Sequence, residues 1–404
     1  MARRLAIVTS HPIQYYAPLF RRLAGRDALD IHVFYGWKGA TKSAYDPGFE
    51  DDVEWDISLL DGYDYTFVPN TSSDPGSHHF RGLVNPDLIP EIDSWGPDAL
   101  LLFGWAYQSH LRALLRFSGD VPIFFRGDST LLDEQGGLRT ALRRLFLRWV
   151  YRHVDVALYV GQNNRAYFEA HGLSDQQLAW TPHAVENQRF KDAPVAEREA
   201  QQWRRELGIP DEAVVLLFAG KFEPKKAPDT LLDAFLEYEN EKAHLALAGS
   251  GPMEDKLRRR AEENARVHFL GFQNQSRMPV VYRLGDVFVL PSRGPGETWG
   301  LAVNEAMACG RPVVVSERVG CAPDLVEQET GFVVPAEDAG ALRQRLDTLV
   351  DDDELRRQMG RTAQTRIEDW SIRRAARRIE QTVGDHVSRL SPDGQNGAGK
   401  TAGK

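Results

Sequence analysis

Two glutamates and two lysines are the residues of this 404-residue chain whose types and spacing could do chemistry together. Glu297 and Glu305 stand eight positions apart within residues 287–316, VFVLPSRGPGETWGLAVNEAMACGRPVVVS. The stretch opens on an apolar, β-branched run (287–290) that predicts a buried strand. A Pro/Gly-rich loop follows. Leu301, Ala302, Val303, Ala306 and Met307 then fall at helical spacing, and Gly310 and Pro312 supply the stop. Residues 312–315 predict a second buried strand. Such a strand–loop–helix–strand unit takes ligands outside the carboxyl ends of its strands, against the helix N-terminus. Glu297 precedes the helix, so its carboxylate is expected to bend into that crevice. Glu305 is expected about two turns in, roughly 12 Å along the axis. Between them Gly300 and Leu301 offer helix-start N–H groups to a phosphate. A carboxylate for sugar hydroxyls, another for ribose hydroxyls and amides for phosphate are the parts of a nucleotide-sugar site.

The same residues carry a resemblance. Glu297, seven residues, Glu305, then Ala306-Met307-Ala308-Cys309-Gly310-x-Pro312-Val313 resembles the donor-site signature of family 4 glycosyltransferases. The resemblance is specific over residues 214–378 and diffuse over 1–186. It implies an α/β chain of the GT-B class, two Rossmann-like domains facing each other across a donor/acceptor cleft. It also implies transfer of a sugar from a nucleoside-diphosphate sugar with retained configuration. Lys221 and Lys226 fall where the family holds the donor diphosphate with two cations, so no metal is expected. Lys221 stands where Arg is usual and loses the fork geometry of a guanidinium. Gly249 and Gly251 follow a predicted strand (244–248) as a close backbone approach to the donor, and Leu270, Gly271 and Phe272 match the segment that recognises the base. Glu297 is expected on the donor sugar and Glu305 on the ribose. No carboxylate is an evident covalent nucleophile, so double displacement is not expected.

The first half departs from the family. Its opening turn is His11-Pro12-Ile13-Gln14-Tyr15-Tyr16 and not glycine-rich; the wording SHPIQYYAPLF resembles a bacterial subgroup serving surface-polysaccharide assembly. His11 and Gln14 are therefore expected to contact an acceptor or a phosphate, unless the segment is only a Pro-terminated turn with packed tyrosines. After the predicted strand at 121–125, Arg126 stands where a family His is common, with Asp128 two residues on. Arg126 could bind an acceptor or donor phosphate, and Asp128 could accept the acceptor hydroxyl's proton. An Arg–Asp pair bracing a turn explains them equally well. His183-Ala184 replaces the family's Asn-Gly before the linker.

These residues need two domains to position them, which the chain length allows. Hydrophobic content of 42% and charged content of 26% are those of a globular protein. A net charge of −9 argues against nucleic-acid binding. No apolar stretch reaches a membrane span of about 18 residues, and the N-terminus lacks a signal-peptide core. The two cysteines, Cys309 and Cys321, form no metal cluster, and a cytoplasmic protein is expected. Asp351 and Asp353, the only Asp-x-Asp spacing, read as helix caps. The expected division is an acceptor domain (1–190), a polar charged connection, a donor domain (205–370), a helix crossing back (371–390) and a disordered tail (391–404).

Two stretches carry further expectations. Residues 36–86 are polar and irregular; their aromatics (Trp37, Tyr45, Trp55, Tyr63, Tyr65, Phe80) could stack on sugars or pack locally. The helix predicted at 138–153 places Leu138, Leu142, Leu145, Phe146, Trp149 and Val150 on one arc, expected to face the core. Arg144, Arg148 and Arg152 line the opposite side, as a solvated face or as attraction to an anionic membrane or lipid-phosphate acceptor. The implied partners are thus a nucleotide-sugar donor and a glycan or lipid-linked acceptor, with peripheral membrane contact left open. The alternatives are a nucleotide-sugar epimerase or phosphorylase, or a silent binding protein on the same fold.

Overall fold

The computed structural model describes residues 2–39, 44–46, 51–191 and 194–390; the tail expected at 391–404 lies outside them. In chain order the strands are β1 (Arg3–Thr9), β2 (Leu29–Tyr35), β3 (Ala44–Asp46), β4 (Asp51–Val53), β5 (Asp64–Phe67), β6 (Ala99–Phe103), β7 (Ile123–Arg126), β8 (Val156–Tyr159) and β9 (Leu178–Trp180). They continue as β10 (Val214–Ala219), β11 (Ala243–Ala248), β12 (Val267–Gly271), β13 (Val287–Leu290), β14 (Val313–Ser316) and β15 (Gly331–Val334). Two parallel sheets result, seven strands in the order β5-β2-β1-β6-β7-β8-β9 and six in the order β12-β11-β10-β13-β14-β15. Strands β3 and β4 form a separate antiparallel pair.

The continuous apolar runs follow from burial on both faces. Along β1, Leu5 and Ile7 join one core cluster while Ala6 and Val8 join the other, as the two-residue repeat of a strand requires. The first face is covered by the C-terminal helix Ile372–Leu390, through Ile372, Ala375, Ala376, Ile379 and Val383. The chain therefore ends packed against its first domain.

The polar, charged connection between the domains has regular structure. It folds as two helices, Asn187–Lys191 and Pro194–Glu206. Phe190, Ala196 and Ala200 sit in the second-domain core, and Arg204 donates to the Asp286 carboxylate at 2.7 Å. Four-residue alanine spacing suffices to bury a narrow stripe among charges, so the second domain begins near Asn187 and not at 205.

The helix Leu138–Tyr151 is turned over relative to expectation. Leu138, Leu142, Leu145, Phe146 and Trp149 are exposed, whereas Leu147, Val150 and Tyr151 are buried. Tyr151 decides the orientation. Its ring packs edge-on against Phe125 and Phe168, each at 5.4 Å between centroids. Arg144 is paired with Glu134 at 2.6 Å, a partner supplied by the loop before the helix. Only Val150 of the expected arc faces inward.

Candidate active site

Parallel sheets present all their strand carboxyl ends on one edge, and here the two edges face each other across a cleft of about 760 Å³. The first domain contributes the turn after β1, with His11, Gln14 and Tyr15, and Asp128 after β7. The second contributes Lys221 and Lys226 after β10, Gly249 after β11, and Glu297 to Glu305 after β13.

Glu297 and Lys226 form one unit. Lys226 Nζ lies 2.6 Å from Glu297 Oε2, and Ser292 Oγ donates to the same oxygen at 3.1 Å. The pair is mostly withdrawn from solvent, so each charge depends on the other. Three residues on, Gly300 opens the Leu301–Ala308 helix at φ +96°, and a Cβ there would meet Val319 Cγ1 at 2.8 Å. Only glycine makes that turn without strain, and it brings Gly300, Leu301 and Ala302 onto the cleft wall. Gly249 is fixed similarly: its φ is +138° and a Cβ would lie 2.0 Å from the Gly220 carbonyl oxygen. This contact brings the backbone after β11 against the Lys221 loop.

Glu305 sits on the buried side of the same helix. Tyr282 OH donates to its Oε2 at 2.7 Å, while Oε1 has no hydrogen-bond partner among the described residues. Burial raises the carboxyl to about 7, with the Tyr282 hydrogen bond and the Arg189 charge pulling the other way. A buried carboxylate with one unmet acceptor in a cleft suits hydroxyl donors from a ligand. Hydroxyls that donate to it favour its ionised form, so such binding releases a proton. Affinity for a nucleoside-diphosphate sugar is therefore expected to be level above pH 7 and to fall below it, by up to about tenfold per pH unit. The Glu305→Gln variant should lack this slope. Calorimetry from about pH 5.5 to 8 measures it; a diphosphate diester is the ligand to use, because it lacks the phosphate ionisation near about pH 6. Equal slopes in both proteins would remove Glu305 from the ligand.

The first domain's two histidines at the cleft are neutral where charge might have been expected. Burial lowers His11 to about 4; its Nδ1 lies 3.0 Å from Ser10 Oγ, and its ring meets Trp37 edge-on at 5.6 Å. His183, also lowered to about 4 by burial and then by the Arg126 charge, stacks on Tyr16. Both are uncharged donors or acceptors near neutrality. Asp128 accepts from Thr298 Oγ1 at 2.7 Å, linking the domains across the cleft floor. Trp37 and Trp55 line the cleft, whereas Tyr63 is buried, donating to the Leu59 carbonyl, and Tyr65 and Phe80 are exposed. The Tyr45 side chain lies outside the described residues.

Four expected site residues stand off the cleft wall. Arg126 is buried and donates through Nη1 to the Thr181 carbonyl at 3.1 Å and through Nη2 to that of Pro182 at 3.0 Å. These two bonds position the His183 turn, and burial keeps the guanidinium off the cleft wall. Leu270 belongs to the core. The Gly271 carbonyl accepts the Gly249 N–H at 2.8 Å and so acts on the site through Gly249. Gly251 turns the chain toward the Glu254–Ala261 helix at φ +144°. Phe272 does line the cleft.

Tyr15, Tyr282, Trp299 and Asn304 are site residues that sequence reasoning missed. The Trp299 indole donates to Asn304 Oδ1 at 2.9 Å, and Asn304 Nδ2 donates to the His183 carbonyl at 3.0 Å, tying the helix to the opposite domain. Asn304 beside Glu305 was the available signal, being a polar residue on an otherwise apolar helix.

Residues 199–366 match the family described as glycosyl transferases group 1. The chain is 34% identical over 215 residues to a D-inositol 3-phosphate glycosyltransferase of Corynebacterium glutamicum, covering 50% of this chain and 51% of that one. It is 30% identical over 230 residues to a phosphatidyl-myo-inositol mannosyltransferase of Mycolicibacterium smegmatis, covering 55% and 56%. The chain thus spans about half the length of the curated relatives it matches. Among solved structures, HepE of Anabaena, in complex with UDP and glucose, superposes with a TM-score of 0.69 at 18% identity, over 96% of this chain and 99% of that one. A sucrose-phosphate synthase of Thermosynechococcus elongatus superposes with a TM-score of 0.72 at 18% identity, over 96% and 100%. At such identities the likeness shows the fold alone. Residues 199–366 are thus similar to the glycosyl transferases group 1 family, and the chain's two facing parallel-sheet domains have the GT-B fold.

Proposed function

We propose that the chain is a glycosyltransferase that moves a sugar from a nucleoside-diphosphate sugar to a hydroxyl of a glycan or lipid-linked acceptor, with retained anomeric configuration. Its place would be cell-surface polysaccharide or glycolipid synthesis. The observation that carries the reading is the grouping of Glu305, with its unmet Oε1, the Lys226–Glu297 pair and the Gly300 helix start on one cleft. The ribose would meet Glu305. The diphosphate would meet Lys221, Lys226 and the amides of Gly300 and Leu301, where charge develops as the glycosidic bond breaks. The donor sugar would meet Glu297, and Asp128 would take the acceptor hydroxyl's proton. Retention without a covalent intermediate fits carboxylates that are already held, Glu297 by Lys226 and Asp128 by Thr298.

The two lysines would neutralise the diphosphate, so turnover is expected to persist in excess chelator. Loss of activity on chelation, restored by magnesium or manganese, would overturn the lysine assignment. The reaction itself is tested by NMR of the product formed from a defined α-linked donor. An α-linked glycoside is the expected product; a β-linked glycoside, an isomerised nucleotide sugar or a sugar 1-phosphate would each contradict the proposal.

A further inference from the structure

The helix Leu138–Tyr151 exposes more apolar surface than its place in a folded domain explains. Leu138 is 77% exposed, Leu142 58%, Leu145 62%, and Phe146 and Trp149 40% each. At about 100° per residue these five occupy one continuous arc on the side opposite the buried Leu147 and Tyr151. The arc runs from Leu138 to Trp149, roughly 16 Å along the axis. Phe146 also meets Trp105 edge-on, with centroids 5.3 Å apart, which broadens the patch.

The flanks specify what covers it. Residues 138–152 hold five arginines and no acidic residue, in a chain of net charge −9. In projection Arg139 and Arg143 border the apolar arc on one side, and Arg148 and Arg152 border it on the other. Arg144 is set apart by its pair with Glu134. An apolar stripe edged on both sides by guanidinium groups, with aromatic rings in it, matches a helix lying in the plane of a bilayer surface. Its apolar side then enters the acyl boundary and its cations sit at phosphate level. No described helix is long and apolar enough to cross a membrane, so the contact would be one of lying on the surface.

We infer that this helix docks the chain onto an anionic lipid bilayer, with Leu138, Leu142, Leu145, Phe146 and Trp149 inserted and the flanking arginines on lipid phosphates. The inference stands apart from the transferase reading, because none of these residues lines the cleft. It has a consequence for the cleft all the same. The segment leading into the helix carries Asp128, on the cleft, and Asp133, which accepts the Gly296 N–H at 2.7 Å. Docking would hold the acceptor side of the cleft near the lipid surface.

The test is co-sedimentation of the full chain with vesicles of phosphatidylcholine alone and of phosphatidylcholine with phosphatidylglycerol. Three proteins are compared: wild type, the triple variant Leu138→Ser/Leu142→Ser/Leu145→Ser, and the triple variant Arg139→Gln/Arg148→Gln/Arg152→Gln. All six positions are on the surface, so folding should survive, and an unchanged melting temperature checks it. Wild type should bind the anionic vesicles at least tenfold better than neutral ones. The arginine variant should lose roughly a hundredfold in partitioning, at about one tenfold step or less per cation. The leucine variant should lose binding as well, including at a salt concentration that screens long-range attraction. Binding lost only in the arginine variant would mean adsorption without insertion and overturn the proposal. So would equal binding to both vesicle types, or no binding to either. Self-association of wild type that the leucine variant abolishes, with vesicle binding absent, would assign the face to a second copy of the chain instead.

Discussion

Replacing Lys226 by Met is expected to lower turnover about 10²–10³-fold at saturating donor, the usual loss when one preorganised stabiliser of developing charge is removed. The ammonium stands 2.6 Å from Glu297 Oε2, on the cleft that the start of the Leu301–Ala308 helix also lines. The substitution has two effects that must be separated. On the proposed assignment it removes a cation from the leaving diphosphate, and it leaves the largely buried Glu297 carboxylate with the Ser292 hydroxyl as donor. Lys226→Arg keeps the charge and should recover part of the rate, though a planar fork does not fit a site shaped for a point charge. The double variant Lys226→Met/Glu297→Gln should lose less than the sum of the single losses, since the two groups touch. Steady-state kinetics with a thermal melt of each variant make the measurement. A loss below about threefold for Lys226→Met would remove it from the reaction.

Glu297→Gln should give the next largest effect, a fall in turnover of roughly ten- to a hundredfold, the worth of a hydrogen bond to a charged group realised on the sugar. Its signature is what it leaves alone. The amide no longer competes for the Lys226 ammonium, so affinity for the sugar-free nucleoside diphosphate should be unchanged or rise. The sugar-bearing donor should bind less well, and a preference among donor sugars should weaken. A matching loss of free-nucleotide affinity would place Glu297 on the nucleotide and not on the sugar.

The second half of the chain was the legible half, for a local reason. Glu297, Gly300, Leu301 and Glu305 all come from one loop and one helix, so spacing alone brings them to one mouth. The strand predicted at 287–290 is β13 itself, and those predicted at 244–248 and 312–315 differ from β11 and β14 by a residue. What spacing could not convey is contact between distant segments. Tyr282, which holds Glu305, comes from the preceding helix Met278–Leu284, where it reads as one more apolar-face residue. Tyr15 faces Glu305 from the other domain: burial, then the Glu305 charge, raises its hydroxyl. Arg126 looked like a phosphate ligand because an arginine after a strand so often is; the carbonyls that occupy it are some 55 residues away in sequence.

The Leu138–Tyr151 helix failed in a different way. Its apolar arc was read correctly from the sequence and assigned to the wrong environment. Periodicity identifies a face but not its neighbour. Tyr151 closes an aromatic cluster with Phe125 and Phe168, and that cluster took the core side. The connection at 187–206 shows the reverse case, where two alanines and one phenylalanine among charges gave too weak a pattern to read as helix.

The central claim, a nucleotide-sugar cleft with Glu305 on the nucleotide and Glu297 on the sugar, is tested most directly by calorimetry on three proteins. Wild type, Glu305→Gln and Glu297→Gln are each titrated with the nucleoside diphosphate and with the corresponding nucleoside-diphosphate sugar, the base chosen by thermal shift among UDP, GDP, ADP and TDP donors. The expected result is that Glu305→Gln weakens both ligands by a similar factor, while Glu297→Gln weakens only the sugar-bearing one. Equal weakening of the free diphosphate by both variants, or indifference of wild type to every donor tried, would contradict it.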